Sequence, residues 1–157
     1  MQLVSHIIDN KGSEVHSVSP ETTVFDALKL MADKNIGAVI VMEDDEVVGI
    51  MSERDYARKI ILKGKSSKQI PVREIMSTRV FYVKPEQSIE DCMALMIDKR
   101  FRHLPVMEKD KLKGVISIGD VVKAIIAQKE YEIEQLENYI AGRYYSPRDR
   151  EDLRDRM

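Results

Sequence analysis

An α+β fold of two pseudo-twofold-related β-α-β-β-α units, packed sheet to sheet, is predicted by three features of this 157-residue sequence. The chain repeats itself at an offset of 65 residues, and each copy passes through the same succession of hydrophobic periods. Neither copy alone is long enough to bury a stable core. Residues 15–55 align without a gap on 80–120, with 16 of 41 positions identical. Pro20 and Glu21 fall on Pro85 and Glu86, Met31 on Met96, and Gly49, Ser52 and Asp55 on Gly114, Ser117 and Asp120.

The elements follow in order. A short β-prone piece opens each copy, at 15–18 and 80–83, and is ended by Pro20 or Pro85. Val24, Ala27, Leu28 and Met31 then recur at helical spacing, as do Ile89, Cys92, Met93 and Met96, so each copy carries an amphipathic helix with one buried stripe. Thr23 with Asp26, and Ser88 with Asp91, have the spacing of a helix-capping box. "AVIVM" and "LPVM" turn through "EDDE" and "EKDK" into "VVGIM" and "LKGVI", which read as two hairpins. A last helix follows each, at 53–63 and from 118 onward. The divisions expected are a lead-in at 1–14, a first repeat at 15–63, a linker at 64–79 with its polar stretch "KGKSSKQ", and a second repeat at 80–128.

Residues 129–157 are expected to prolong the final helix and then to form a tail. "AIIAQKEYEIEQLENYIAG" carries Ile126, Ile133, Leu136 and Ile140 as an apolar stripe, with Gly142 as its stop. A projecting stripe must be covered by a second chain or fold back on its own domain. "RYYSPRDREDLRDRM" is densely charged without apolar periodicity, and is expected to be disordered or to bind a partner.

Composition narrows the function classes. Twenty-five Lys and Arg against 27 Asp and Glu leave a net charge of -2, no field for gathering nucleic acid or an anionic membrane. The longest apolar run, 36–42, is far short of the roughly 20 residues a spanning helix needs, and "MQLVSHIIDN" lacks a basic leader region, so a soluble cytoplasmic protein is expected. The one cysteine, Cys92, lies on the buried helical stripe, and His6, His16 and His103 have no second ligand at metal spacing, so neither a nucleophilic thiol nor zinc is expected. Gly64-Lys65-Ser66 resembles the end of a phosphate loop, but Lys59 stands where that motif needs its first glycine.

The chemistry concentrates in "GIMSERD" and "GVISIGD". Ser-x-x-Asp between strand and helix is a helix cap, the Ser oxygen accepting an amide from the first turn. It also suits a ligand: a helix start and a hydroxyl donate to phosphate, and an ionised Asp accepts from the paired hydroxyls of a ribose. The leading glycine admits a close ligand or marks a bulge. Asp55 and Asp120 close different copies of the repeat and so do not form one site, which argues against a paired-carboxylate hydrolase.

These two motifs, each closing a strand-helix-strand-strand-helix unit over about residues 15–128, resemble the tandem CBS-domain pair, or Bateman module. "SERDYARK" and "RFRHLPV" resemble its stand-alone bacterial members. The resemblance implies a non-catalytic sensor without a catalytic cofactor, binding AMP, ADP, ATP or NAD between the copies, assembled as a flat homodimer and read by a protein target not named by the sequence. It assigns Asp55 and Asp120 to ribose, with Ser52 and Ser117 near ribose or phosphate. One cleft would join Ser117, Gly119 and Asp120 to Ser17, Gly37 and Ala38. The other would join Ser52, Arg54, Asp55 and Arg58 to Tyr82, Arg102, His103 and Pro105. The second, rich in arginine, is expected to take the more highly phosphorylated end of a ligand. Two other functions remain open at this point: an interaction scaffold with empty clefts, and a nucleic-acid adaptor using Lys63, Lys65 and Lys68, which the net charge disfavours.

Overall fold

The computed structural model describes residues 2–12 and 14–140. Five helices and two small sheets alternate along the chain: α1 (Val4–Lys11), β1 (Ser17–Val18), α2 (Val24–Lys34), β2 (Ala38–Glu43), β3 (Glu46–Ser52), α3 (Glu53–Lys59), α4 (Ile89–Lys99), β4 (His103–Glu108), β5 (Lys111–Ser117) and α5 (Ile118–Ile140). The fold is α+β, as the periodicities predict. The expected stop at Gly142 and the charged tail lie outside the described residues.

The caps form where the spacing placed them. Thr23 Oγ1 accepts the Asp26 amide, and Ser88 Oγ accepts that of Asp91. Both hairpins close through two-residue turns whose central residues, Asp44 with Asp45 and Lys109 with Asp110, all have positive φ, the handedness that matches strand twist. Register shifts by one residue beyond Val41 and beyond Val106, opposite Gly49 and Gly114 respectively, so each glycine does sit at a bulge. One expected strand contracts: β1 pairs in parallel with β2, whereas its counterpart at 80–83 is reduced to a bridge between Val83 and Val106.

Alternate residues of the central strands serve two cores. Val39 and Val41 pack towards α2, and Leu104 and Val106 towards α4, while buried Ile40 and Pro105 belong to the opposite face of their sheets. That face lines the clefts between the repeats, where Ala38, Ile40 and Ile50 stand across from His103 and Val115.

The segments ahead of the repeats are exchanged. The lead-in at 1–14, given no element by its sequence, forms α1, and its Val4 and Ile7 sit in the core of the second repeat. Val72 and Ile75, in the stretch expected as linker, complete the core of the first. The backbone pairing is equivalent on both sides. Val4 N donates to Gln87 O and Ser5 N to Pro85 O, just as Val72 N donates to Thr22 O and Arg73 N to Pro20 O. Each exchanged segment needs a gap in the strand it crosses. A side chain at Gly49 would meet Met76 Sδ at 2.7 Å and the Ser77 carbonyl at 3.0 Å, and one at Gly114 would meet Ile8 Cδ1 at 2.6 Å. Close approach is therefore of the chain itself, not of a ligand. Each core is finished by residues that precede the other repeat, so the two cannot separate without opening both.

Candidate functional site

Two clefts lie between the repeats, one of about 480 Å³ and one of about 690 Å³, sizes that suit a nucleotide. Each is built around a capping box at a strand-to-helix junction. Asp55 Oδ2 accepts from Ser52 N at 2.9 Å while Ser52 Oγ accepts from Asp55 N at 3.2 Å. Asp120 Oδ2 likewise accepts from Ser117 N at 2.8 Å, and Ser117 Oγ from Asp120 N at 3.1 Å. The capping explanation of Ser-x-x-Asp therefore holds, and it also aims both carboxylates: Ser117 and Asp120 line the smaller cleft, Ser52 and Asp55 the larger.

Both carboxylates have a lysine partner, that of Asp55 one helical turn away at i,i+4 and that of Asp120 distant in sequence. Lys11 Nζ, at the end of α1, donates to Asp120 Oδ2 at 2.7 Å and to the Val115 carbonyl at 2.9 Å. Lys59 Nζ lies 3.2 Å from Asp55 Oδ1 and donates to the Ile75 carbonyl at 2.8 Å. Gly37 and Ala38 line the smaller cleft at the positions matching Arg102 and His103, and Lys11 adds its one lysine from α1. Burial would raise the Asp120 pKa, but the hydrogen bonds from Lys11 and from the Ser117 amide outweigh it and hold the carboxyl below its ordinary value.

The larger cleft gathers cations. Arg54, Arg79, Lys99, Arg100 and Arg102 line it against Glu53 and Asp55, whereas Lys11 alone faces Glu14 and Asp120 in the smaller one. Arg100 closes α4 at φ 58, where Asn35 closes α2 at φ 53. Asn tolerates that left-handed region, and a long side chain there costs about 1 kcal/mol. A strained arginine is thus kept at the cleft wall. The Phe81 and Phe101 rings, 5.4 Å apart, give the same cleft an apolar end.

Of the residues expected at the clefts, Gly37, Ala38, Ser117 and Asp120 line the smaller, and Ser52, Arg54, Asp55, Arg102, His103 and Pro105 the larger. Four fall outside both linings. Ser17 and Tyr82 are absent from the linings, which hold the residues before them, His16 and Phe81, although Ser17 pairs with cleft-facing Ile40 and Tyr82 precedes the bridge between Val83 and Val106. Gly119 has no side chain to reach inward, although its counterpart Arg54 does. Arg58 is exposed, and Lys59 makes the contact to Asp55 instead. Arg79 and Phe81, beside the second repeat's opening strand, and Lys99, Arg100 and Phe101, at the end of α4 ahead of β4, were missed, since none belongs to the Ser-x-x-Asp motifs. Cys92 is buried in the second core, where burial pushes its thiol up to about 11, far from a reactive thiolate.

His103 lines both clefts, with its ring against Gly37. Burial lowers its pKa first; Lys11 and Arg102 lower it further, while Asp120 and Glu53 oppose them. A folded value below the unfolded 6.5 means that the unfolded chain takes up the proton first. Stability is full above pH 6.5 and falls as the pH drops below it, until His103 titrates in the folded protein. Melting temperatures measured from pH 7.5 to 5.5 are expected to fall more steeply for the native chain than for His103→Gln; parallel curves would rule this out.

Among the described residues no helix is long and apolar enough to cross a membrane. The CBS domain family model matches residues 4–62 and 72–127. The chain is similar to the mitochondrial CBS domain-containing protein CBSX3 of Arabidopsis thaliana, 38% identical over 90% of this chain and 73% of the relative. It superposes on a signal-transduction protein with CBS domains from Burkholderia ambifaria with a TM-score of 0.78 and 49% identity, over 80% of this chain and 95% of the other. It also superposes on CBSX2 solved in complex with AMP, with a TM-score of 0.66 and 28% identity over 82% and 99% of the two chains. The chain therefore belongs to the CBS-domain family, as a tandem pair.

Proposed function

We propose that this protein is a non-catalytic regulatory module that binds adenosine nucleotides in its two clefts, works as a homodimer in the cytoplasm, and signals to a protein target through ligand-dependent shape. The observation that carries this reading is the repeated geometry: a nucleotide-sized cleft, twice, each with a capped helix start and a carboxylate beside it. Binding of AMP by the related CBSX2 supports it. The clefts divide the ligands by charge. Five cations suit the larger one to a di- or triphosphate, ATP or ADP, while a single lysine suits the smaller one to a monophosphate, AMP, or to one half of NAD.

A ribose diol can engage Asp120 only by sharing it with Lys11 or moving it, and Lys11 released from the carboxylate is placed for a phosphate. The 2′-hydroxyl is the part of the ligand that tests this. In titration calorimetry 2′-deoxy-AMP should bind the native chain about tenfold more weakly than AMP, the loss of one charge-assisted hydrogen bond. With Asp120→Ala the two ligands should bind alike. Equal affinities for the native chain would remove the carboxylate from ribose recognition.

An interaction scaffold with unused clefts is the second reading, favoured by the engagement of both carboxylates with lysines. Thermal shift separates the two: a nucleotide at 100 times its Kd stabilises by about 2.7 kcal/mol, several degrees for a chain of this size, whereas a scaffold does not respond.

A further inference from the structure

Beyond residue 127, where the family match ends, α5 continues to Ile140. Thirteen further residues at 1.5 Å each make a rod about 20 Å long. Its first turns are anchored, with Val121, Ala124 and Ile125 in or against the second core. Past that point its apolar side chains are exposed: Ile126 is 50% accessible, Ile133 55%, Leu136 58% and Ile140 74%. A helix of this length, with bare isoleucines, is marginal in water unless its stripe is covered.

The spacing says what covers it. With Ile126, Ile133 and Ile140 at the a positions of a heptad, Val122 and Leu136 fall at d, and Lys129 is the one polar core position. Charge then selects the direction. Side by side in parallel, Lys129 would stack on its own copy inside the seam, and Glu132 would face Glu137 of the other chain. Reversed, Lys129 packs against Ile133, Ile126 against Leu136 and Val122 against Ile140, and Lys123 meets Glu137 at both ends. The two acidic self-pairs this creates, at Glu130 and Glu132, bracket the lysines of both chains, and Lys129 already lies 3.3 Å from Glu132 within its own helix.

We propose that the α5 extension is a homotypic interface: two copies of this chain pair through residues 122–140 as an antiparallel two-stranded coil. The pairing holds two modules at its opposite ends, and is independent of what fills the clefts. Cysteine cross-linking in the full chain tests it, because native Cys92 is buried. Ile126→Cys and Leu136→Cys proteins, mixed and oxidised, should give a disulfide-linked dimer at least tenfold more abundantly than either alone. Adding Ile133→Lys to both, which sets two lysines against each other twice in the seam, should abolish the product while circular dichroism shows the module still folded. No product from the mixture overturns the pairing. A dimer from Leu136→Cys alone overturns its direction, and a product unchanged by Ile133→Lys overturns the seam.

Discussion

Val4→Ala combined with Ile7→Ala should lower stability by about 4–6 kcal/mol, a large part of what holds a domain of this size together. Both side chains come from the lead-in to the first repeat, yet Val4 is 0% and Ile7 7% exposed, among Ile89, Met96, Ile116 and Val121 of the second repeat. Truncating them leaves a void beneath a helix pinned by backbone bonds to Pro85 and Gln87, so the site cannot collapse easily. The expected result is a melting temperature lower by about 10–20 °C, in one cooperative transition. One transition is required because the exchanged segments put residues from ahead of each repeat into the other's core. A drop of only a degree or two would mean that α1 is a surface ornament. Two separate transitions would mean that the repeats are independent.

Why the sequence disclosed the repeats but hid their exchange is a matter of offset. The gapless match runs at 65 residues from position 15, whereas the swapped pieces match at 68: Val4 with Val72, Ile7 with Ile75, Ile8 with Met76. Three residues of slippage put this second match out of phase with the first, and two apolar identities in seven are invisible without the structure. The caps, hairpins and bulges were legible because each depends on neighbours within four or five residues. The clefts were half legible. Residues next to the Ser-x-x-Asp motif were placed by its own hydrogen bonds, but those opposite depend on strand register. Ser17 and Tyr82 stand at the same position of the repeat, and neither enters a lining, although Ser17 pairs with cleft-facing Ile40 and Tyr82 precedes the Val83–Val106 bridge. Lys11 could not be found from spacing, since 109 residues separate it from Asp120.

Arg54→Ala combined with Arg102→Ala should cost a nucleoside triphosphate about 3–5 kcal/mol of affinity, a factor of about 150 to several thousand, while leaving AMP affinity in the smaller cleft unchanged. Both side chains line the larger cleft alone and arise from opposite repeats, one from the first turn of α3 and one just ahead of β4. An anion between them is therefore gripped from two sides. Both are exposed, so their removal should leave the fold intact and the loss should be of binding only. The remaining cations, Arg79, Lys99 and Arg100, carry the longer-range Coulomb part of the attraction, which salt screens. The native chain should thus show a strong salt dependence for ATP and a weak one for AMP, and the double variant should bring the two closer. Calorimetric titrations at two salt concentrations measure both. Unchanged ATP affinity in the variant would show that the arginines serve the surface and not the ligand, and the division of the clefts by phosphate charge would fall with it.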